Sequence, residues 1–277
     1  MKLINTEDKQ INVNITTHPE SNVLLIFIHG LTGNYLQMHH YQNYFKDKYN
    51  ILSYDLSGRG DSTLQNNPTD IHQHSKDLLQ MIESLEHDNI ILAGYSMGGY
   101  IATDVAGQTA KVKKVVLLDG GGEADENTSS LVLPSLGRLE KTFDSRDEYL
   151  EMMKKSYGAM GIEWSEVMDQ VIDHEITQIE DEIHHKSDYE LTKQDFKSFY
   201  EFPFDEAYSR LDVPVFLIIC TGPIKDDIAL FSKEGYDNML KTVKDIKSEE
   251  IDINHYEIVF NEQKNLNEQI ENFLEEE

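Results

Sequence analysis

The chain has 277 residues, with 24 Lys+Arg against 51 Asp+Glu, a net charge of −27 and one cysteine, Cys220. That acidity disfavours nucleic acid and anionic membrane surfaces as partners, because phosphate would be repelled, and a lone thiol excludes an intramolecular disulfide and any Cys-rich metal site. The length suits one large α/β domain, or a domain carrying an insertion, and no segment reaches the ~18 apolar residues of a membrane span.

The opening stretch Met1–Asn5 lacks the apolar run of a signal segment, which makes the cytoplasm the expected compartment. Residues 1–20 alternate weakly, with Ile11, Val13 and Ile15 on one face, and predict an antiparallel edge pair. Asn22 to Ile28 is a continuous apolar run, as in a strand buried on both faces. It ends in His29-Gly30-Leu31-Thr32-Gly33, where the glycines let the backbone run close under a ligand and the Leu31 amide could donate to an anion. A helical pattern through Tyr35, Leu36, Tyr41, Tyr44 and Phe45 leads to a strand over Tyr49–Tyr54. The loop Asp55-Leu56-Ser57-Gly58-Arg59-Gly60-Asp61-Ser62 follows, and it lacks the G-x-G-x-x-G spacing of a dinucleotide site.

Thr69 or Asp70 caps a predicted helix through Ile71, Leu78, Leu79, Ile82 and Leu85. His72 and His74 are two residues apart on different helix faces, so solvent exposure is expected rather than a metal pair. Next, the apolar run Ile90–Ala93 stops at Gly94 and a helical pattern with Ala102 and Ala106 starts just after Ser96. Gly94 and Gly98 flank Ser96 where a Cβ would clash as strand and helix close on each other. This is the physical content of a G-x-S-x-G elbow, which pushes the serine hydroxyl out above the sheet. The strand Lys111–Leu118 then ends in Asp119-Gly120-Gly121-Gly122, completing repeated β-α-β units and hence a mostly parallel sheet with helices on both faces.

From about Glu123 to Ser209 the rhythm changes to amphipathic patterns such as Leu150-Met153-Tyr157 and Val167-Val171-Ile172-Ile176-Ile179, predicting an all-helical insertion over the C-terminal edge of the sheet. Its few cations, Arg138, Arg146, Lys154 and Lys155 among them, could pair a substrate carboxylate, and its aromatic stretch Phe196–Tyr208 reads as lid core. The expected organisation is a core of residues 1–122 and 210–277 and a lid of residues 123–209. The sheet resumes at Val213–Cys220, where Cys220 reads as a buried, inert thiol. A helix over Lys233–Val243, a short strand over Glu250–Ile253, Asn254-His255-Tyr256 and a helix through Leu266, Ile270, Phe273 and Leu274 close the chain.

His29-Gly30, Asp55 to Ser62, Gly94-Tyr95-Ser96-Met97-Gly98-Gly99 and the late His255, in this order, resemble the α/β-hydrolase superfamily, as a serine-nucleophile member with a helical lid. The resemblance implies Ser96 as nucleophile, His255 as base, and the backbone N–H groups of Leu31 and Met97 as oxyanion donors. A serine hydroxyl needs such a base at neutral pH. The acid departs from the usual pattern: the loop after Cys220 reads Thr221-Gly222-Pro223-Ile224-Lys225-Asp226-Asp227, whose carboxylates come late, whereas Asp119 ends the strand after the elbow helix. Asp119 is the expected acid, with Asp226 and Asp227 as alternatives. Asn254 reads as a turn residue. Serine at the elbow speaks against epoxide hydrolases and haloalkane dehalogenases, and no H-E-x-x-H, Cys/His cluster or Walker loop points to a metal or nucleotide cofactor. The implied activity is metal-independent cleavage of a small ester or thioester through an acyl-enzyme. Carbon–carbon hydrolysis or a lyase step on a small metabolite with the same three residues, and a non-catalytic small-ligand sensor, are the alternatives.

Overall fold

A computed structural model describes residues 2–276; Met1 and Glu277, the outermost residues of the predicted core, lie outside it. In chain order its elements are β1 (Lys2–Asn5), β2 (Gln10–Thr16), β3 (Leu24–Ile28), α1 (His39–Phe45), β4 (Asn50–Tyr54), α2 (Ile71–Ser84), β5 (Ile90–Tyr95), α3 (Met97–Ala106) and β6 (Val112–Leu118). An insertion follows: α4 (Glu126–Leu136), β7 (Thr142–Phe143), α5 (Arg146–Gly158), α6 (Glu166–Glu175), β8 (Ile176–Ile179), β9 (Glu182–His185), α7 (Tyr189–Lys197) and α8 (Phe204–Ser209). The chain closes with β10 (Val215–Cys220), α9 (Asp237–Thr242), β11 (Ile246–Ile251), α10 (Glu257–Phe260) and α11 (Lys264–Glu275).

The main sheet has the order β1-β2-β4-β3-β5-β6-β10-β11. Only β2 runs against the others, pairing antiparallel with β1 and β4, while the remaining neighbours are parallel. Successive residues of a strand point to opposite faces, and both faces of the central strands are covered. Ile26, Leu92, Val115 and Leu217 pack on one side with residues of α2, α3 and α9. Leu25, Ile91, Val116 and Phe216 pack on the other with residues of α1, α5, α6 and α11. This two-sided burial is why β3, β5 and β10 read as unbroken apolar runs rather than alternating ones. The fold is therefore the mostly parallel α/β sheet with helices on both faces expected from the β-α-β rhythm.

Two elements differ from expectation. The insertion is not all-helical: β7, β9 and β8 form a three-stranded antiparallel sheet, with β8 and β9 joined by a tight turn at Glu180-Asp181, where Glu180 has φ +55°. Ile172, Ile176 and Ile179 keep the three- and four-residue spacing of a helix, so the pattern continues past the real end of α6 at Glu175. The last strand lies at 246–251 rather than 250–253. As the outer strand beside β10, it carries exposed Lys247, Ser248 and Glu250 and shows no apolar run.

Two buried polar clusters fasten the insertion to the core. Arg59 Nη2 donates to Asp195 Oδ2 of α7 at 2.7 Å, and Thr69 Oγ1 donates to Asp195 Oδ1 at 2.6 Å. Burial pushes the Asp195 carboxyl up, but the facing His74 and Arg59 charges outweigh it and hold it well below the usual carboxylate range. His74, expected at the surface, is in fact buried with Nε2 3.1 Å from Asp195 Oδ2, because α7 covers the face of α2 that bears it. His72 is half-exposed and meets Asp104 at 2.8 Å. In the second cluster Asp55 Oδ2 sits 2.8 Å from His174 Nε2 of α6 and accepts from Asn12 Nδ2 and Asp61 N–H. The Asp55–Ser62 loop thus serves as an anchor for the insertion.

Candidate active site

Ser96 stands between β5 and α3 with φ +53°, ψ −119°, a conformation that costs a non-glycine residue about 1–3 kcal/mol and persists only where the surroundings impose it. The surroundings here are backbone. A Cβ on Gly94 would lie 2.2 Å from Gly98 O, one on Gly98 2.2 Å from Ile28 O, and one on Gly120 2.2 Å from Ser96 O. Strand, helix and the end of β6 thus approach more closely than any side chain allows. Met97 opens α3 with its side chain in the core, and the first N–H groups of a helix have no intrahelical acceptor.

The loop after β3 is fixed from both sides. His29 Nδ1 donates to Gly30 O at 2.7 Å while its Nε2 accepts the Leu56 N–H at 2.9 Å. Burial drives this imidazole down to about 4, so it is neutral near pH 7 and both roles are satisfied at once. Gly30 N–H donates to Gln37 Oε1, and Arg59 Nε donates to Leu31 O at 2.8 Å. The buried Arg59 therefore holds the Leu31 peptide and the insertion together.

His255 lies in the turn between β11 and α10, and its Nδ1 is 2.7 Å from Asp119 Oδ2. Asp119 follows β6 with φ +46°, and its other oxygen accepts the Cys220 N–H and the Tyr236 hydroxyl, each at 3.1 Å. A buried carboxylate facing Nδ1 makes that nitrogen the proton-bearing one and leaves Nε2 free to accept. Tyr95 stacks on the imidazole, with ring centroids 4.7 Å apart and planes at 28°, and donates its hydroxyl to His255 O at 2.9 Å. Asn254 is the expected turn residue, accepting from the Tyr256 and Glu257 amides. Asp226 and Asp227, the rival carboxylates, are exposed at φ +52° and +60° in the turn closed by Lys225 and Ile228. The structure brings Asp119, not these two, to His255.

Ser96 and His255 share the wall of a cavity of about 50 Å³ with Gly30, Leu31, Phe199 and Phe231. Beside it lies a larger cavity of about 340 Å³, whose wall has Thr32, Ser135 and Tyr256 in common with the first. Leu136 of α4 and Phe199 give the insertion a direct part in the smaller cavity. Tyr95, Tyr236 and Gln37 were not singled out from the sequence; of these only Tyr95 carried a signal, as the residue next to the elbow serine. No group of three or more His, Cys, Asp or Glu side chains suited to a metal ion occurs among the described residues, and none of their helices is long and apolar enough to cross a membrane. Chemically, the arrangement offers a hydroxyl, an imidazole oriented by a carboxylate, and backbone N–H groups at a helix start and a neighbouring loop. This is the equipment for acyl transfer.

Residues 23–151 match the family model described as the alpha/beta hydrolase fold. A Haemophilus influenzae protein with the provisional name esterase/lipase is 30% identical over 118 residues, covering 42% of this chain and 39% of its own. The AB hydrolase superfamily protein YisY of Bacillus subtilis is 32% identical over 103 residues, covering 36% of this chain and 38% of its own. The alignments thus span about two fifths of the length of these curated relatives. Among solved structures, that of E-2-(acetamidomethylene)succinate hydrolase superposes with a TM-score of 0.85 at 15% identity, covering 99% of this chain and 98% of its own. With its sheet order, its serine elbow and these likenesses, the chain has the α/β-hydrolase fold.

Proposed function

We propose that this chain is a serine hydrolase cleaving a small ester or thioester through an acyl-enzyme. Ser96 is the nucleophile, His255 the general base and then acid, Asp119 the carboxylate that orients the imidazole, and the Leu31 and Met97 N–H groups receive the oxyanion. The observation that carries the reading is the 2.7 Å contact of His255 Nδ1 with Asp119 Oδ2, on a histidine that shares a cavity wall with Ser96. His255 Nε2 takes the Ser96 proton as Oγ attacks the carbonyl carbon, and the leaving alcohol or thiol receives that proton as the tetrahedral intermediate collapses. Water then repeats the sequence in reverse order on the acyl-enzyme. In this reading residues 123–209 are the lid, residues 2–122 and 210–276 the core, and the compartment is the cytoplasm.

The test is hydrolysis of short p-nitrophenyl esters at enzyme concentrations high enough to resolve a burst. The expected result is a burst of nitrophenolate approaching one equivalent, lost together with turnover in Ser96→Ala. Absence of ester cleavage across acetate, butyrate and hexanoate, with unchanged traces in Ser96→Ala, would refute it and favour a ligand-binding protein without catalysis.

A further inference from the structure

The 50 Å³ cavity at Ser96 has room for little more than the reacting group, so the remainder of a substrate extends into the 340 Å³ cavity next to it. In a chain with 51 acidic residues and a net charge of −27, no Asp or Glu lines that larger space, but Arg138 and Lys141 do. Among the described residues neither cation has a carboxylate within 4.0 Å. None of the insertion's other cations lines that cavity: Arg146 is paired with Asp173, Lys154 with Glu151, Lys186 with Asp61 and Lys193 with Glu190, and Lys155 and Lys197 are exposed.

Arg138 is held ready. Its Nη2 donates to Thr32 Oγ1 at 2.8 Å and its Nη1 to Ser135 O at 3.2 Å, the guanidinium also hydrogen-bonds the Tyr149 hydroxyl, and its buried Nε–H has no acceptor. The nearest counter-charge is indirect: buried Glu175 is engaged by the Tyr149 hydroxyl at 3.2 Å and lies 3.6 Å from His185. Thr32, the residue Arg138 grips, stands in both cavity walls, one position beyond the oxyanion candidate Leu31. Burial works against the Arg138 charge, but the surrounding tyrosines and Glu175 outweigh it, so the guanidinium stays ionised while its Nε–H still lacks an acceptor.

We propose that Arg138 is the specificity residue for a carboxylate on the substrate, so that the preferred substrates are half-esters or half-thioesters of short dicarboxylic acids. This rests on the hydrolase reading of Ser96. A carboxylate is favoured over a phosphate because one guanidinium matches one negative charge, while Met152, Met153 and Tyr157 on the same walls would leave a second charge unsolvated. Lys141, exposed at the rim, steers the anion inward.

Calorimetric titration with glutarate, adipate, uncharged adipamide and inorganic phosphate tests the site directly, alongside kcat/KM for monoethyl adipate and ethyl pentanoate. The wild-type chain should bind a dicarboxylate but not adipamide, and prefer the charged ester. In Arg138→Gln, dicarboxylate affinity should fall roughly tenfold to a hundredfold and the charged-to-neutral kcat/KM ratio should collapse by a similar factor. Ser156→Glu, a change at an exposed helix position, adds a carboxylate to the cavity wall that Arg138 also lines and should weaken the same binding. A melting curve verifies that each variant is folded. Equal binding of adipamide, binding of phosphate alone, no dicarboxylate binding in the wild type, or undiminished dicarboxylate binding in both variants would overturn the assignment. Dicarboxylate binding through Arg138 without turnover of any ester would instead refute the hydrolase reading and leave the anion site standing; turnover of neutral esters without dicarboxylate binding would do the reverse.

Discussion

Replacing Asp119 by Asn isolates the orienting role of the carboxylate from its structural one. Oδ1 accepts the Cys220 N–H and the Tyr236 hydroxyl, and Oδ2 faces His255 Nδ1. Tyr236 could reverse its hydroxyl, but the Cys220 amide can only donate, so the asparagine oxygen takes the Oδ1 place and its NH₂ turns to His255. That NH₂ requires Nδ1 as an acceptor, which moves the ring proton to Nε2 and removes the lone pair that would deprotonate Ser96. The same wrong-tautomer substitution in a serine protease triad lowers kcat about 10⁴-fold, on the order of 5 kcal/mol of transition-state stabilisation. The folded state loses one charge-assisted hydrogen bond, roughly 1.5–3 kcal/mol, which lowers a Tm by several degrees and leaves the chain folded at 25 °C. Nitrophenyl ester turnover and a melting curve, measured on Asp119→Asn and on Asp227→Asn, read both effects. Turnover in Asp119→Asn within tenfold of the parent, or a large loss in Asp227→Asn, would refute the tautomer argument.

Gly98→Ala should cost about 3 kcal/mol or more, because its Cβ meets Ile28 O and not a movable side chain; a urea midpoint equal to that of the parent would contradict this. Asp195→Asn, which leaves the buried Arg59 guanidinium without its carboxylate, should cost about 3–5 kcal/mol in urea unfolding and reduce kcat, since Arg59 also holds Leu31 O. Stability should fall between about pH 6.5 and about pH 4. His29 and His39 have folded-state pKa values near 4 because of burial, so as the pH drops the unfolded chain takes up their protons first. Each contributes on the order of 3 kcal/mol that is present above pH 6.5 and lost toward pH 4. Urea midpoints unchanged across that window would contradict the neutral, buried state of these rings.

The parallel sheet and the elbow were legible because their signals are local: apolar runs for strands buried on two faces, and glycines where backbones touch. The choice of Asp119 over Asp226 and Asp227 rested on its place at the end of the strand after the elbow helix and on the late position of the two rivals after Cys220. What separates them is three-dimensional, since Oδ1 of Asp119 is fixed by Cys220 and Tyr236, both distant in sequence. The insertion was the least legible part. Ile172, Ile176 and Ile179 mimic a helix across the end of α6, and nothing near His74 announces that α7, over a hundred residues later, will bury it against Asp195. Tyr95 was visible as the second residue of the elbow motif, yet its stacking on His255 depends on where the last turn lands. The edge strand β11 was misplaced because an outer strand with an exposed face carries no continuous apolar run.

The central claim is that Ser96 is an activated nucleophile, and the most direct measurement is intact and peptide mass spectrometry after reaction with an uncharged fluorophosphonate. One phosphonyl adduct per chain on Ser96 is expected, absent in Ser96→Ala and slowed by orders of magnitude in His255→Gln. A chain that stays unmodified at Ser96, or that is labelled as quickly in His255→Gln as in the parent, would contradict it.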